Sequence, residues 1–168
     1  YGIDKTTIVD NENNIIQLLD EFIFNINDEI IKSKNAFILD KNENKYLFED
    51  LIVNLKSNEI IGKELKINFN KTYFGNEKND PILRGRSSYS NEKELKVYKA
   101  VFSTCNIENK KCRGWELKAD EFKHDKVNKL FEYKNSWLKI LDYKIFYLPY
   151  LSHPDPSVKR KSGFLSPS

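Results

Sequence analysis

Two short constellations in this chain contain the residue types of nucleophilic catalysis. Ser152-His153-Pro154-Asp155 holds a serine, a histidine and a carboxylate, and His124-Asp125 could work with a distant serine. A hydrolytic triad needs its side chains to converge, whereas neighbours on an extended Ser152-His153-Pro154-Asp155-Pro156 segment point alternately away from each other. No G-x-S-x-G elbow exists to expose a nucleophile. The expectation is therefore that the chain is not an enzyme. A metal site could recruit Cys105, Cys112, His124 and His153, but structural zinc sites start from tight pairs such as C-x2-C or H-x3-H, and neither pair here has that spacing. Glycine-rich phosphate loops are absent, so no nucleotide cofactor is implied. The expected inventory is no metal and no cofactor.

Basic clusters are the remaining polar candidates. Arg84-Gly85-Arg86 and Lys159-Arg160-Lys161 are short, and they read as solvated turns or flanks, with phosphate-bearing headgroups as the alternative. The chain has 28 Lys and Arg against 25 Asp and Glu, a net charge of +3 that is far from the excess needed to bind nucleic acid through its backbone. The two cysteines permit one local disulfide between Cys105 and Cys112, or two bonds to partners elsewhere.

The elements that must position these residues are strands. Leu65, Ile67 and Phe69 alternate with Glu64, Lys66 and Asn68, and Trp115, Leu117 and Ala119 alternate with Glu116, Lys118 and Asp120, the two-residue period of a half-buried strand. Polar turn clusters separate such runs at 11–14, 41–44, 57–59, 76–81, 90–93 and 126–129. Residues 15–26 also fit helical spacing, yet the alternation of Phe22, Phe24 and Ile26 with Ile23, Asn25 and Asn27 and the aromatic and β-branched content favour a strand. No stretch provides the roughly 20 apolar residues of a membrane-spanning helix. Short self-similar runs recur, among them Lys34-Asn35-Ala36-Phe37 and Lys134-Asn135-Ser136-Trp137, and they predict stacked, similar strand pairs. A bias toward Lys, Asn and Ile is the competing source of such matches.

With 39% hydrophobic and 13% aromatic residues, the chain has enough apolar side chains for one core. The sheet's apolar face must be covered by a second sheet or by an apolar ligand, which makes a groove for acyl chains conceivable beside an ordinary core. The last twelve residues, 157–168, carry neither a helix cap nor a closing strand, and they read as chain that continues.

Ala100-Val101-Phe102-Ser103-Thr104-Cys105, Trp115-Glu116-Leu117-Lys118-Ala119-Asp120 with His124-Asp125, Phe146-Tyr147-Leu148-Pro149-Tyr150, and His153-Pro154-Asp155-Pro156 through Lys159-Arg160-Lys161-Ser162-Gly163-Phe164-Leu165-Ser166-Pro167 resemble the LptD family of lipopolysaccharide-assembly proteins. The likeness runs over about residues 95–168. The earlier residues resemble, in pattern only, the OstA-like strand repeats of the bridge proteins LptA and LptC. The resemblance implies an all-β fold: an open β-jelly-roll of stacked antiparallel strand pairs over 1–148, with 149–168 as the linker into an outer-membrane β-barrel. It implies transport of lipopolysaccharide along an apolar slot from the periplasmic bridge to the barrel, on the periplasmic side of the outer membrane. LptA would join by edge-strand addition and LptE would meet the barrel.

The slot lining expected from alternation is Phe22, Phe24, Phe37, Phe48, Leu65, Ile67, Phe69, Val97, Leu117 and Phe131. The resemblance further implies that Cys105 is oxidised to a cysteine near the end of the barrel. Cys112 departs from that pattern and leaves a Cys105–Cys112 bond open. Lys144 stands where the family commonly has proline, and it predicts a regular strand there. A stand-alone β-sandwich binding module and a soluble bridge subunit of the same repeat family are the competing readings.

Overall fold

The computed structural model describes residues 1–2, 5–10, 14–74, 80–104, 114–141 and 143–158. Among them the chain is all-β: β1 (Thr6–Val9), β2 (Ile15–Leu18), β3 (Phe22–Asn25), β4 (Ile30–Leu39), β5 (Lys45–Asn54), β6 (Glu59–Asn68), β7 (Ile82–Ser90), β8 (Glu94–Ser103), β9 (Trp115–Asp125), β10 (Leu130–Ile140) and β11 (Tyr143–Pro154), with one 3-10 turn at Lys71–Phe74. Residues 15–26 form strands rather than a helix. All eleven strands belong to a single antiparallel sheet, ordered β1-β2-β4-β5-β6-β7-β8-β9-β10-β11, with β3 continuing the line of β2 along β4. From β4 to β11, strands consecutive in sequence are neighbours in the sheet, the simplest antiparallel topology.

One row bends the whole sheet. In β4 the buried residues are Ile31 and Ser33, then Ala36 and Ile38, so the inward phase moves by one residue across Lys34 and Asn35. The same doubled exposed or half-exposed position occurs in β6 at Lys63 and Glu64, in β8 at Tyr98 and Lys99, and in β10 at Lys134 and Asn135. Such a slip would normally turn the second half of a strand inside out. Here the register is unchanged on either side, as with Lys34↔Asp50 and Ala36↔Phe48, so neighbouring strands turn together and no residue is inserted. Alternate strands accomplish the turn with a left-handed residue at this row: Asn35 (φ 47°), Glu64 (φ 47°), Lys99 (φ 52°) and Asn135 (φ 49°). Asparagine tolerates that backbone conformation; glutamate and lysine adopt it at a cost. The row is a crease that divides the sheet into two leaves whose apolar sides both stay inward, giving an open jelly-roll.

The first leaf carries the hairpin turns at residues 26–29, 55–58, 91–93 and 126–129. Each is opened by an Asn or Asp whose side-chain Oδ1 accepts backbone N–H groups: Asn25 from Asn27 at 3.1 Å, Asn54 from Lys56 at 3.0 Å, Asn91 from Lys93 at 2.9 Å, and Asp125 from Asn128 at 2.8 Å. This side-chain mimicry of a backbone turn explains how the chain turns tightly with so little glycine. Glu29, Asn58 and Lys129 then close three of these turns with positive φ.

Between the leaves, Ile16, Leu18, Ile31, Ala36, Ile38, Phe48, Leu51, Leu65, Ile67, Val97, Ala100, Phe102, Leu117, Phe122, Phe131 and Tyr133 belong to one buried cluster. Among the described residues, the close backbone approaches between strands are those of sheet neighbours. The leaves thus meet through side chains, not through hydrogen bonds.

Candidate functional site: the apolar interior and its two edges

The register aligns the inner face into rows that run across the sheet. In the second leaf one row passes through Ile16, Ile38, Tyr46, Ile67, Leu83, Phe102, Leu117, Leu138 and Phe146. In the first leaf a row passes through Ile31, Val53, Ile60, Ser90, Leu95, His124, Phe131 and His153. Apolar character therefore runs from the β1 edge to the β11 edge, nearly without interruption. Aromatic rings pack along it: Phe122 lies 5.2 Å from both Phe131 and Tyr133, and Phe102 lies 5.7 Å from Trp115. Burial alone pushes the Tyr133 phenol well above its ordinary pKa.

Of the residues expected to line a slot, Phe48, Leu65, Ile67, Val97, Leu117 and Phe131 are in this interior, and Phe22 and Phe69 pack against it. Phe24 shares their side of β3, opposite Ile31, but is 39% exposed at the N-terminal edge. Phe37 does not join them. Strict alternation from Ile31 and Ser33 would bring it inward, but the slip at Asn35 sends it to the outer face, where the Lys45 ammonium sits 4.0 Å from its ring centroid.

Close approach at the crease depends on small inner residues. Gly62 lies under the Phe48 ring, and Gly85 lies against Val97, with the Tyr98 carbonyl 3.2 Å from where a Cβ would stand. Ala36, Ala100, Ala119 and Ser136 lie on the row of Gly85 on other strands, while Gly62 lies across the crease between Leu51 and Ser88.

The candidate catalytic residues are separated by the strand itself. Ser152 stands opposite Glu132 and His153 opposite Phe131 on β10, so the two leave β11 on opposite faces. His153 stacks on Tyr133 at 5.7 Å, and its ring nitrogens lie near the Tyr133 hydroxyl (3.4 Å) and the Pro154 carbonyl (2.8 Å). An unforeseen pair forms instead. His124 Nε2 is 2.6 Å from Asp155 Oδ2, the Asp155 N–H donates to the Lys129 carbonyl at 2.8 Å, and its Oδ1 accepts the Ser157 N–H at 2.7 Å. Asp155 is buried, so this cluster ties the chain leaving β11 back onto β9 and the 126–129 turn. β11 itself runs from Tyr143 through 149 to Pro154, so Lys144 stands in a strand as expected, with a register shift in the ladder at Leu138/Lys139. No group of metal-ligating side chains occurs among the described residues. Cys105, Cys112 and the Lys159-Arg160-Lys161 cluster lie outside them, while Arg84 and Arg86 flank inward Gly85 on β7.

The outer face is polar and cross-linked by charge. Lys123 lies 3.3 Å from Glu132 and 3.8 Å from Glu94, Lys99 is 2.8 Å from Asp120, and Lys134 is 2.8 Å from Glu121. Several carboxyls are held below their ordinary pKa: Glu59 by the Tyr89 hydroxyl, Asp120 by Lys99, Asp125 by the Asn128 backbone, and Glu132 by the Tyr150 hydroxyl and Lys123. A depressed folded-state pKa contributes stability that is present above the unfolded value and lost as pH falls through the folded one. The urea midpoint is therefore expected to be nearly flat from neutral pH down to about pH 5 and to fall below about pH 4. Replacing these four carboxylates with amides should flatten the acid limb; an unchanged limb would assign it to other groups.

Comparison with known proteins gives a partial match. No protein-family model matches the chain. It is 38% identical over 69 residues to the LPS-assembly protein LptD of Nitrosococcus oceani, covering 41% of this chain and 9% of that protein. It is 40% identical over 67 residues to the LptD of Shewanella sp. strain MR-4 (40% and 8%), and 34% identical over 83 residues to that of Psychrobacter arcticus (49% and 9%). The matched stretch thus spans about a tenth of the length of these relatives.

Proposed function

We propose that this chain is a lipopolysaccharide-handling domain of an outer-membrane lipopolysaccharide-assembly protein. The observation that carries this reading is the apolar interior that runs from one open sheet edge to the other between two leaves that are continuous at the crease and meet inside through side chains. The LptD relatives, each named as an LPS-assembly protein, support the same cargo. Acyl chains would lie between the leaves, along the direction in which strands succeed one another, while phosphorylated sugars stay outside. At about 25 cal/mol per Å² of apolar surface, moving several acyl chains through water is prohibitive, and a continuous apolar path removes that barrier. No bond need be made or broken, and the reading includes no enzymatic step.

The finer assignments follow from this reading. The β1 edge would accept the bridge protein LptA by strand addition, since β1 is an end strand of the sheet order among the described residues. Residues 1–148 would be the periplasmic domain and 149–168 the passage to a barrel, where LptE binds. Cys105 would pair with a cysteine of that barrel, with Cys112 as the alternative partner in an oxidising periplasm. The specific observation favouring a packed, stand-alone module is that the inner residues are nearly inaccessible: Leu65 is 1% and Val97 0% exposed. The transport reading answers it by having cargo part the leaves.

In-cell photocrosslinking in the full-length protein separates the two. A photoreactive residue at Phe69, which packs on the interior, is expected to capture lipopolysaccharide, and one at Lys66 on the outer face is not. Capture at neither position, with the protein folded and present, would favour the packed module. Capture at Lys66 alone would move the cargo to the outer face.

A further inference from the structure

We infer that the His124–Asp155 pair is a latch that couples the interior to the chain leaving β11: cargo seated against Phe131 turns His124 away from Asp155 and frees the residues that follow. This rests on the reading of the interior as a path for acyl chains. Two sets of contacts meet at the pair. On one side, His124 stands in the inner row between Leu95 on β8 and Phe131 on β10. Its ring crosses the Phe131 ring at 4.7 Å and 78°, and the His153 ring lies 5.5 Å from Phe131 on the next strand. Phe131 is 1% exposed, so no acyl chain can lie against it without displacing a neighbouring ring.

On the other side, Asp155 lies one residue beyond the last ladder pair, Leu130↔Pro154. Its N–H bond to the Lys129 carbonyl prolongs the ladder by a row, its Oδ1 accepts the Ser157 N–H, and its carbonyl accepts the Val158 N–H at 2.9 Å. Its Oδ2, 2.6 Å from His124 Nε2, reaches past β10 to β9. Asp155 thus organises the turn at 156–158, and His124 fixes Asp155 from two strands away. Asp155 is 4% exposed, and a buried carboxylate deprived of its imidazole is costly to keep out of water. The arrangement therefore has two states: one latched, and one in which His124 is turned, Asp155 is in water and the turn is undone. An occupant that fits only the second shifts the balance toward it. By reciprocity, breaking the latch strengthens binding of that occupant, an effect that a pair kept for stability alone does not produce.

Hydrogen exchange of the Asp155, Ser157 and Val158 amides in the full-length protein, with and without lipopolysaccharide, tests this beside capture by the photoreactive residue at Phe69. The three amides are expected to exchange about tenfold faster once lipopolysaccharide is bound, while those of β6 and β7 keep their rates. Asp155→Asn should exchange fast at these positions without lipopolysaccharide and should raise capture about tenfold at sub-saturating lipopolysaccharide. His124→Gln, whose amide can donate from near the position of Nε2, should fall between Asp155→Asn and the unaltered protein, and it carries the test if Asp155→Asn does not fold. Lys99→Gln, which removes an exposed ion pair outside the latch, should change neither readout. Capture at Phe69 with exchange at 155–158 unchanged would overturn the latch and leave the transport reading standing. No capture by the folded protein would overturn both. Capture by the folded latch variants no greater than that by the unaltered protein would overturn the latch alone.

Discussion

Phe131→Ala is expected to lower the unfolding free energy by about 3–5 kcal/mol, the usual cost of emptying a buried aromatic site. Phe131 is 1% exposed, and its ring lies 4.7 Å from His124, 5.2 Å from Phe122 and 5.5 Å from His153. All three neighbours belong to the sheet on either side of it, so none can move into the void without leaving its strand. A domain of this size has about 5–15 kcal/mol in total, which makes a measurable unfolded fraction in buffer the expected outcome. Urea unfolding followed by tryptophan fluorescence measures it. A loss below about 1 kcal/mol would mean that the leaves are not closed against each other in solution.

Gly85→Ala is the second large effect, and it acts by crowding rather than by emptying. An added Cβ would overlap Val97, which is fully buried, and would press on the Tyr98 carbonyl at 3.2 Å. The carbonyl belongs to backbone and cannot swing aside, so the sheet must shift at the crease. Inserting a methyl into a packed site costs about 1–3 kcal/mol, and the upper part of that range is expected here. Gly62→Ala meets the Phe48 ring, which can rotate more easily than backbone can retreat, so its effect should be the smaller of the two. A Gly85→Ala chain with an unchanged urea midpoint would show that the crease is looser than described.

Strand content and most turns were legible because both rest on local chemistry. The polar clusters at 41–44, 57–59, 90–93 and 126–129 coincide with turns whose backbone is capped by Asp40, Asn54, Asn91 and Asp125, three of which stand just before the cluster. The crease was only half legible. Lys34-Asn35 and Lys134-Asn135 recur because both asparagines are left-handed at the same row, whereas Glu64 and Lys99 hold that conformation without a residue type that announces it. Missing the slip misplaced Phe37, since parity counted through Asn35 yields the wrong face. The His124–Asp155 pair was not legible because the two residues are far apart in sequence and meet only through the pairing of β9, β10 and β11. Burial of the lining residues reflects a closed pair of leaves, which no alternation pattern can distinguish from an open one.

Because backbone pairing among the described residues runs only between sheet neighbours, the hydrogen-bonded ladder is a one-dimensional stack. Each strand contributes an intrinsic term and two interfaces, except at the ends, where it has one. Opening should therefore begin at the termini of the stack and be graded inward. β1, with four residues and one partner, should exchange its amide protons first, while β6 and β7, with ladders on both sides, should exchange near the global limit. A second chain docked on the β1 edge would convert that end strand into an interior one, so docking would propagate as protection along the sheet without any change in its shape.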